Sequence, residues 1–283
     1  MTTLVWLLLA IGLAPLGAGA ARLPTSPARL RLDPGSILLC ALAFNLTFFW
    51  QELWLVIPKA MTPGLHPMLY HNDHDWTGHA ANVELLQGTG ALATLASGLI
   101  FTAALTSARR ASVTWRLFLF WMAFQGLFQS LTQLAIGAML PGNDVGRALA
   151  YLQVGPTGRW MLFGVSLVGM AVAGGLLARL WPCGPGQGED RPTRAFARDT
   201  VAVAVAAVVL IVPFRLPRDL MEAAFIPLFV NLVGVGWLTL VAAFAPGDQV
   251  RTSGERAVVV GPAIALVATL LVFQLVLRRG IAF

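Results

Sequence analysis

Apolar residues along the chain gather into eight long stretches, at 3–20, 36–58, 86–107, 115–140, 160–181, 199–214, 220–245 and 258–277. A helix needs about 20 such residues to cross the hydrocarbon core of a bilayer, and all but 3–20 and 199–214 are of that order. The breaks are punctuated by proline and glycine, in "RLPTSPARLRLDPG", "MTPGLHP", "LPGNDVG", "WPCGPGQGEDRP", "FRLPRD" and "APGDQVRTSGER", where a regular helix is hardest to continue. The pattern predicts an all-α integral membrane protein, a polytopic bundle of about eight transmembrane helices with short loops. No loop is long enough for a separate soluble unit, so residues 1–283 read as a single transmembrane domain. The one distinctive connection is an outer-face loop over 60–85, between the second and third helices.

Composition agrees with this picture. The chain is 57% hydrophobic and 11% charged, with a mean hydropathy of +0.75, against roughly 25% charged residues in a soluble domain. The net charge of +6 comes from 18 Arg and one Lys. No basic patch is interleaved with aromatics, which argues against a nucleic-acid partner. The cations sit instead at the ends of apolar runs, where they meet lipid head groups and orient helices. The first stretch ends in an Ala18-x-Ala20 pattern like a signal-cleavage site, but residues 1–6 hold no Lys or Arg, so the positive leader of a signal peptide is missing. Arg22, Arg29 and Arg31 follow it, which predicts a retained helix with its N-terminus outside. Threading onward gives inner ends with Arg22, Arg29, Arg31, Arg109, Arg110, Arg116, Arg179, Arg191, Arg194, Arg198, Arg251 and Arg256, and outer ends with Lys59, Arg147, Arg159, Arg215, Arg218, Arg278 and Arg279. That distribution favours both termini outside, in a bacterial inner (plasma) membrane, with Arg278 and Arg279 the main dissent. Cys40 and Cys183 fall on different levels of this threading and read as unpaired thiols.

The outer-face loop carries the candidate chemistry. The stretch "LHPMLYHNDHDWTGHAANVE" holds all four histidines, His66, His71, His74 and His79, together with Asp73, Asp75 and Glu84. Random placement would put them in one such window with a chance of roughly one in a hundred, given the composition, so the clustering needs a cause. Neutral imidazole is a common metal ligand. On a helix, His71 and His74 would share a face, Asp75 would join His71 at i, i+4, and His79 would lie just over a turn beyond. Three nitrogen or oxygen ligands with an open position suit a divalent transition metal, whether zinc, copper or iron. Asp73 is a further ligand or an outer partner. Gly78 and the Asn72–Asp73 pair argue for a turn instead of a regular helix. Met61 and Met68 would favour copper if they coordinate, but both also fit as apolar contacts at the membrane boundary. No HExxH motif is present. The competing reading is an interfacial loop in which Tyr70 and Trp76 sit at head-group level and Asn72, Asp73 and Asp75 cap a short helix.

Intramembrane polar residues point to the same end. Asn45 and Glu52 share a face of the second helix, and Glu52 lies in its outer half. There it faces a cavity as a proton acceptor or metal ligand, or is simply held by Lys59 at i+7 or by a neighbouring Arg. Glu84 and Gln87 open the third helix beneath the loop, with Glu84 a second candidate acceptor. Gln125, Gln129 and Gln133 form a polar stripe at i, i+4, i+8, which either binds helices together or lines a pocket. Arg218 and Glu222 are spaced for an ion pair, Asn231 and Gln274 for packing hydrogen bonds, and Gly174–Gly175 and Gly234-x-Gly236 for close helix contacts. Three functions remain open. The first is a membrane-embedded metalloenzyme whose metal site opens to the outer face and which acts on a lipophilic or small substrate. The second is a transporter or permease component for an ion, metal or small solute. The third is a non-catalytic subunit of a larger membrane complex, with the bilayer and membrane proteins as its partners.

Overall fold

Each apolar stretch becomes a helix. In the computed structural model, which describes residues 6–7, 9–25, 29–30, 32–182, 193–215, 220–244 and 257–283, the first is α1 (Leu9–Arg22). Asp33 and Pro34 then open α2 (Pro34–Ala60). The Asp33 carboxylate accepts the Ser36 amide at 3.1 Å, and Pro34 needs no amide partner in the first turn. A hairpin of β1 (Leu65–Leu69) and β2 (His74–Gly78) follows. Next come α3 (Val83–Ser107), α4 (Val113–Met139), the short α5 (Asp144–Tyr151) and α6 (Pro156–Leu180). The chain closes with α7 (Arg194–Phe214), α8 (Met221–Ala242), α9 (Val260–Arg279) and the two-residue β3 (Ile281–Ala282). Six of these helices, α2, α3, α6, α7, α8 and α9, are long and apolar enough to cross a membrane. The fold is that of an all-α, multi-pass membrane protein with a small three-stranded sheet at one end. Helix α5 was not evident in the apolar pattern. It exists because Asn143 caps it, accepting the Val145 amide at 3.0 Å.

The centre of the bundle is α4, which packs against α2, α3, α5, α6 and α8. Its Phe120, Trp121, Phe124 and Phe128 are fully buried. Close backbone approach sets the spacing of its neighbours: a Cβ on Gly98 of α3 would lie 2.6 Å from the Leu127 amide nitrogen. The glycines expected to make close contacts do so, since a Cβ on Gly174 would meet the Trp237 carbonyl at 2.8 Å and one on Gly236 the Gly12 carbonyl at 2.6 Å.

Hydrogen bonds show which helix ends lie together. Far from the sheet, Arg194 at the start of α7 donates to carbonyls of Ala20 and Ala21 in the last turn of α1 and of Leu23 just after it, and the Val258 amide before α9 donates to Thr114 in α4. At the sheet end, Gln274 of α9 donates to the Phe214 carbonyl closing α7. The strands are ordered β2-β1-β3 and antiparallel, so the last residues return to the hairpin: Leu69 pairs with Ile281 and Met68 with Ala282. Arg278 and Arg279 therefore lie at the hairpin end.

Candidate functional site

The loop that helical spacing would have made a histidine face is instead a β-hairpin. Leu65 pairs with Gly78, Pro67 with Trp76 and Leu69 with His74. Gly64 and Gly78 take φ of +84° and +95°, which glycine adopts without strain. Side chains alternate across a strand, so Leu65, Pro67 and Leu69 turn inward onto α2, and their partners His74 and Trp76 share that face. The residues between them, His66, Asp75 and Thr77, are exposed. Burial of the β1 side chains fixes this register, because a slip of one residue would expose all three.

The inward face sets His74 over the last turns of α2. Its Nδ1 lies 2.8 Å from Glu52 Oε2, and its Nε2 lies 3.2 Å from Gln87 Oε1 on α3. Glu52 is 4% exposed and Lys59 is fully buried. The Lys59 ammonium donates to the Leu55 carbonyl at 2.8 Å and to Gln87 Oε1 at 3.4 Å, and lies 4.9 Å from the Trp76 ring centroid. Because Lys59 can only donate, the Gln87 oxygen must face it. Both imidazole nitrogens of His74 then face side-chain oxygens, of Glu52 on one side and Gln87 on the other. Trp76 stacks on that ring at 5.9 Å and 14°.

Two carboxylates and an arginine surround this pair. Asp73 completes a trio with Glu52 and His74 in which one ligand atom from each residue lies within 4.8 Å of the others. Among the described residues this is the one such trio of His, Cys, Asp and Glu side chains. Asp144, at the start of α5, interacts electrostatically with Glu52, His74, Lys59, Arg147 and Asp73. Burial pushes its carboxyl above the ordinary value, against the pull of His74, Lys59 and Arg147. Arg147 binds Glu84 through two hydrogen bonds of 2.6 and 2.8 Å, and that carboxylate holds the guanidinium above its ordinary value. Arg147 also lies 5.2 Å from the Trp76 centroid. Glu52, Asp73, Glu84 and Asp144 together outnumber the fixed cations Lys59 and Arg147, so the cluster favours added positive charge.

The expected residues divide sharply in this arrangement. His74, Asp73 and Glu52 converge. His71 is buried elsewhere, its ring 5.6 Å from Phe273 of α9, while Asp75 and His79 are exposed. The helical face of His71, His74, Asp75 and His79 therefore does not form, because strand pairing replaces helical spacing with alternation. The ion partner of Glu52 is His74, not Lys59 at i+7. Glu84 faces Arg147, partly exposed, outside the trio. Met68 accepts from the Tyr70 hydroxyl at 2.8 Å, Met61 is exposed, and neither joins the trio. Asn45 donates to the Ala41 carbonyl of its own helix. The glutamine stripe faces α2: Gln133 donates to Gln51, Gln129 to Gln125, and Gln125 to Asn231 of α8. Cys183, Arg218 and Asp219 lie outside the described residues.

The sequence pattern offered Lys59 only as a partner for Glu52, Gln87 only as a polar group beneath the loop and Trp76 only as a head-group anchor, and it did not single out Asp144. The available signals were a lysine one residue after Pro58 at an apolar helix end, and an Asn143-Asp144 cap directly after a span. No family model matches the chain, and no curated protein or solved structure is significantly similar to it.

Proposed function

We propose that this is a membrane metalloprotein in which Glu52, Asp73 and His74 bind a divalent transition metal at the extracytoplasmic face. The observation that carries the reading is the convergence of one imidazole and two carboxylates within 4.8 Å, inside a cluster whose carboxylates outnumber its fixed cations. Nitrogen and oxygen ligands of this kind suit zinc or iron, and copper in its divalent state. The described sulfur groups lie outside the trio, which gives a Cu(I) site no support. Gln87 and Gln51 are placed to orient the imidazole and the Glu52 carboxylate, as outer partners of metal ligands do. Bound metal would supply Lewis-acid chemistry or an activated water.

In this reading α1 and α4 also cross the bilayer, giving eight crossings. Helix α4 has 27 residues, and its glutamines reduce its apolarity without shortening it. The threading of the sequence assigns twelve of the nineteen Lys and Arg residues to inner helix ends, which supports an inner location for the end away from the hairpin and an outer one for the site and both termini. A bacterial plasma membrane is the setting that fits this threading. The substrate class is lipophilic. An apolar groove of about 710 Å³ runs between α2 and α3, lined by Trp50, Trp54, Pro58, Leu92 and Phe101 among others, on the same two helices that carry Glu52 and Gln87.

The test is titration of zinc, iron and copper salts into EDTA-treated protein in a weakly buffered detergent solution, following heat and proton release. Binding should be stoichiometric and should release protons, because metal binds the deprotonated forms of its ligands. Glu52→Gln, Asp73→Asn and His74→Ala should each weaken it by at least about tenfold, a loss of about 1.4 kcal/mol, while His71→Ala and His79→Ala should not. Equal loss in the His79 variant, or no binding to the unmodified protein, would reject the site.

A further inference from the structure

A second alignment of buried polar groups runs along the interface of α2 and α4, away from the metal trio. At the far end, Asp33 is exposed and Ser36 accepts from the Trp121 indole at 3.0 Å. One turn onward, Gln125 Nε2 lies 2.8 Å from Asn231 Oδ1 and 3.8 Å from Cys40 Sγ. A turn further, Gln129 donates to Gln125 at 3.4 Å. The alignment then reaches the Gln133–Gln51 pair, whose Gln51 lies beside Glu52. From Ser36 to Gln51 the helix rises by about 22 Å, most of a hydrocarbon core of about 30 Å.

Two buried atoms of α4 beside the seam, Gln129 Oε1 and Thr132 Oγ1, have no partner among the described residues, and neither does Thr47 Oγ1 of α2, a residue that also lines the α2–α3 groove; all three residues are at most 2% exposed. Buried polar groups are satisfied by protein or by internal water. Lipid cannot do so, and Gln129 and Thr132 are buried inside the bundle. The orphans lie where the protein's own hydrogen bonds are interrupted, between the Gln125–Gln129 pair and the Gln133–Gln51 pair.

We propose that the α2–α4 seam holds a file of water and conducts protons between the far end of the bundle and the edge of the candidate site. Each water takes a proton from one neighbour and releases another to the next, so no protein bond changes and no oxidant or reductant is required. The amides and hydroxyls orient the water and do not themselves exchange charge. No residue of α2 from Cys40 to Gln51, or of α4 from Gln125 to Gln133, is charged, and the guanidinium beside this stretch, Arg215 over the Phe44 and Phe48 rings, is a cation. These helices therefore offer none of the carboxylates that a metal or alkali cation would need for dehydration. This selects protons as the transported species. Gln51 is the one residue that serves both, ending the seam and touching Glu52, so the test is run without metal and on seam residues that lie outside the trio.

The experiment reconstitutes the full chain into liposomes with trapped pyranine and imposes a potassium potential with valinomycin, in EDTA so that metal plays no part. Proton entry should exceed that of protein-free liposomes. Gln129→Leu and Thr132→Val, each removing one water anchor, should lower it by about tenfold, equivalent to about 1.4 kcal/mol on the barrier. Thr132→Val is nearly isosteric and decides the matter if Gln129→Leu fails to fold. Flux no greater than in protein-free liposomes, or flux unchanged in folded Thr132→Val, would overturn the proposal.

Discussion

Replacing His74 alone should harm the protein more than replacing His74 and Glu52 together. The two side chains are 8% and 5% exposed, with 2.8 Å between Nδ1 and Oε2. In His74→Ala the Glu52 carboxylate keeps one long hydrogen bond, from Gln51 at 3.5 Å, and loses its charge partner. Breaking a buried pair from one side costs about 3–5 kcal/mol. The imidazole also gives up its stack on Trp76. In Glu52→Gln the amide oxygen still accepts from Nδ1, so the loss is that of a charge-assisted over a neutral hydrogen bond, about 1 kcal/mol. The double variant removes both partners and leaves no buried charge uncompensated, for a total near 2 kcal/mol.

The single losses therefore sum to about 4–6 kcal/mol, and the double variant should recover at least about 2 kcal/mol of that as coupling energy. The assay is a double-mutant cycle by denaturant titration in mixed micelles at pH 7 with EDTA, followed by tryptophan fluorescence. Losses that add within about 0.5 kcal/mol would refute the reasoning, because they would mean that water reaches Glu52 and replaces the imidazole without cost.

Three further outcomes follow from the geometry. The Asp144 carboxyl is raised above its ordinary value of 3.8 by burial, so the stability it contributes is complete below that pH and is lost as pH rises through the raised value. Asp144→Asn should remove this decline and melt higher than the unmodified protein at pH 7 but not at pH 4, measured by thermal unfolding without metal. Gly98→Ala places a methyl 2.6 Å from the Leu127 amide nitrogen and 2.7 Å from the Gly126 carbonyl carbon. It should part α3 from α4 at a cost of about 1–3 kcal/mol, read by the same unfolding titration, whereas Gly164→Ala, where a Cβ meets nothing within 4 Å, should be neutral. Removal of residues 281–283 deletes the β3 pairing with β1 and the 3.0 Å bond from the Phe283 amide to the Pro67 carbonyl. Amide exchange across residues 65–78 should then quicken by about tenfold, the effect of about 1.4 kcal/mol, with exchange in α6 unchanged.

The helices were legible because a bilayer leaves the chain little choice. Backbone groups in hydrocarbon must be satisfied within the helix, so each apolar stretch had to become one. The Gln125–Gln129–Gln133 stripe was legible for a related reason, since period 3.6 is fixed by helix geometry. The hairpin obeys a different competition. His71, His74, Asp75 and His79 are spaced for a helix, but Leu65, Pro67 and Leu69 alternate, and so do His74, Trp76 and Gly78. Burial of the alternating set on α2, with glycines at Gly64 and Gly78 where φ is positive, outweighed the polar spacing. His74 could be nominated from the loop, but its partners could not be chosen there. Asp73 needs the loop's turn, Gln87 needs α3 to start beneath the hairpin, and Asp144 and Arg147 arrive on a helix more than 60 residues later.

That late arrival explains how so many ionisable groups are tolerated at the end of apolar helices. Lys59 is fully buried, yet its hydrogen-bond partners are neutral oxygens on Leu55 and Gln87. Its charge is balanced at a distance by Glu52, Glu84 and Asp144. Trp76 lies over both Lys59 and Arg147 and against His74, so one indole closes the cluster from the hairpin side. The hairpin is in turn paired with the last strand of the chain. Excluding water strengthens every interaction inside the cluster and raises the cost of leaving any member without a partner. A site built this way needs its cover as much as its ligands. Loosening β3 should therefore weaken metal binding without touching Glu52, Asp73 or His74, and the truncated protein is the variant in which that separation can be read.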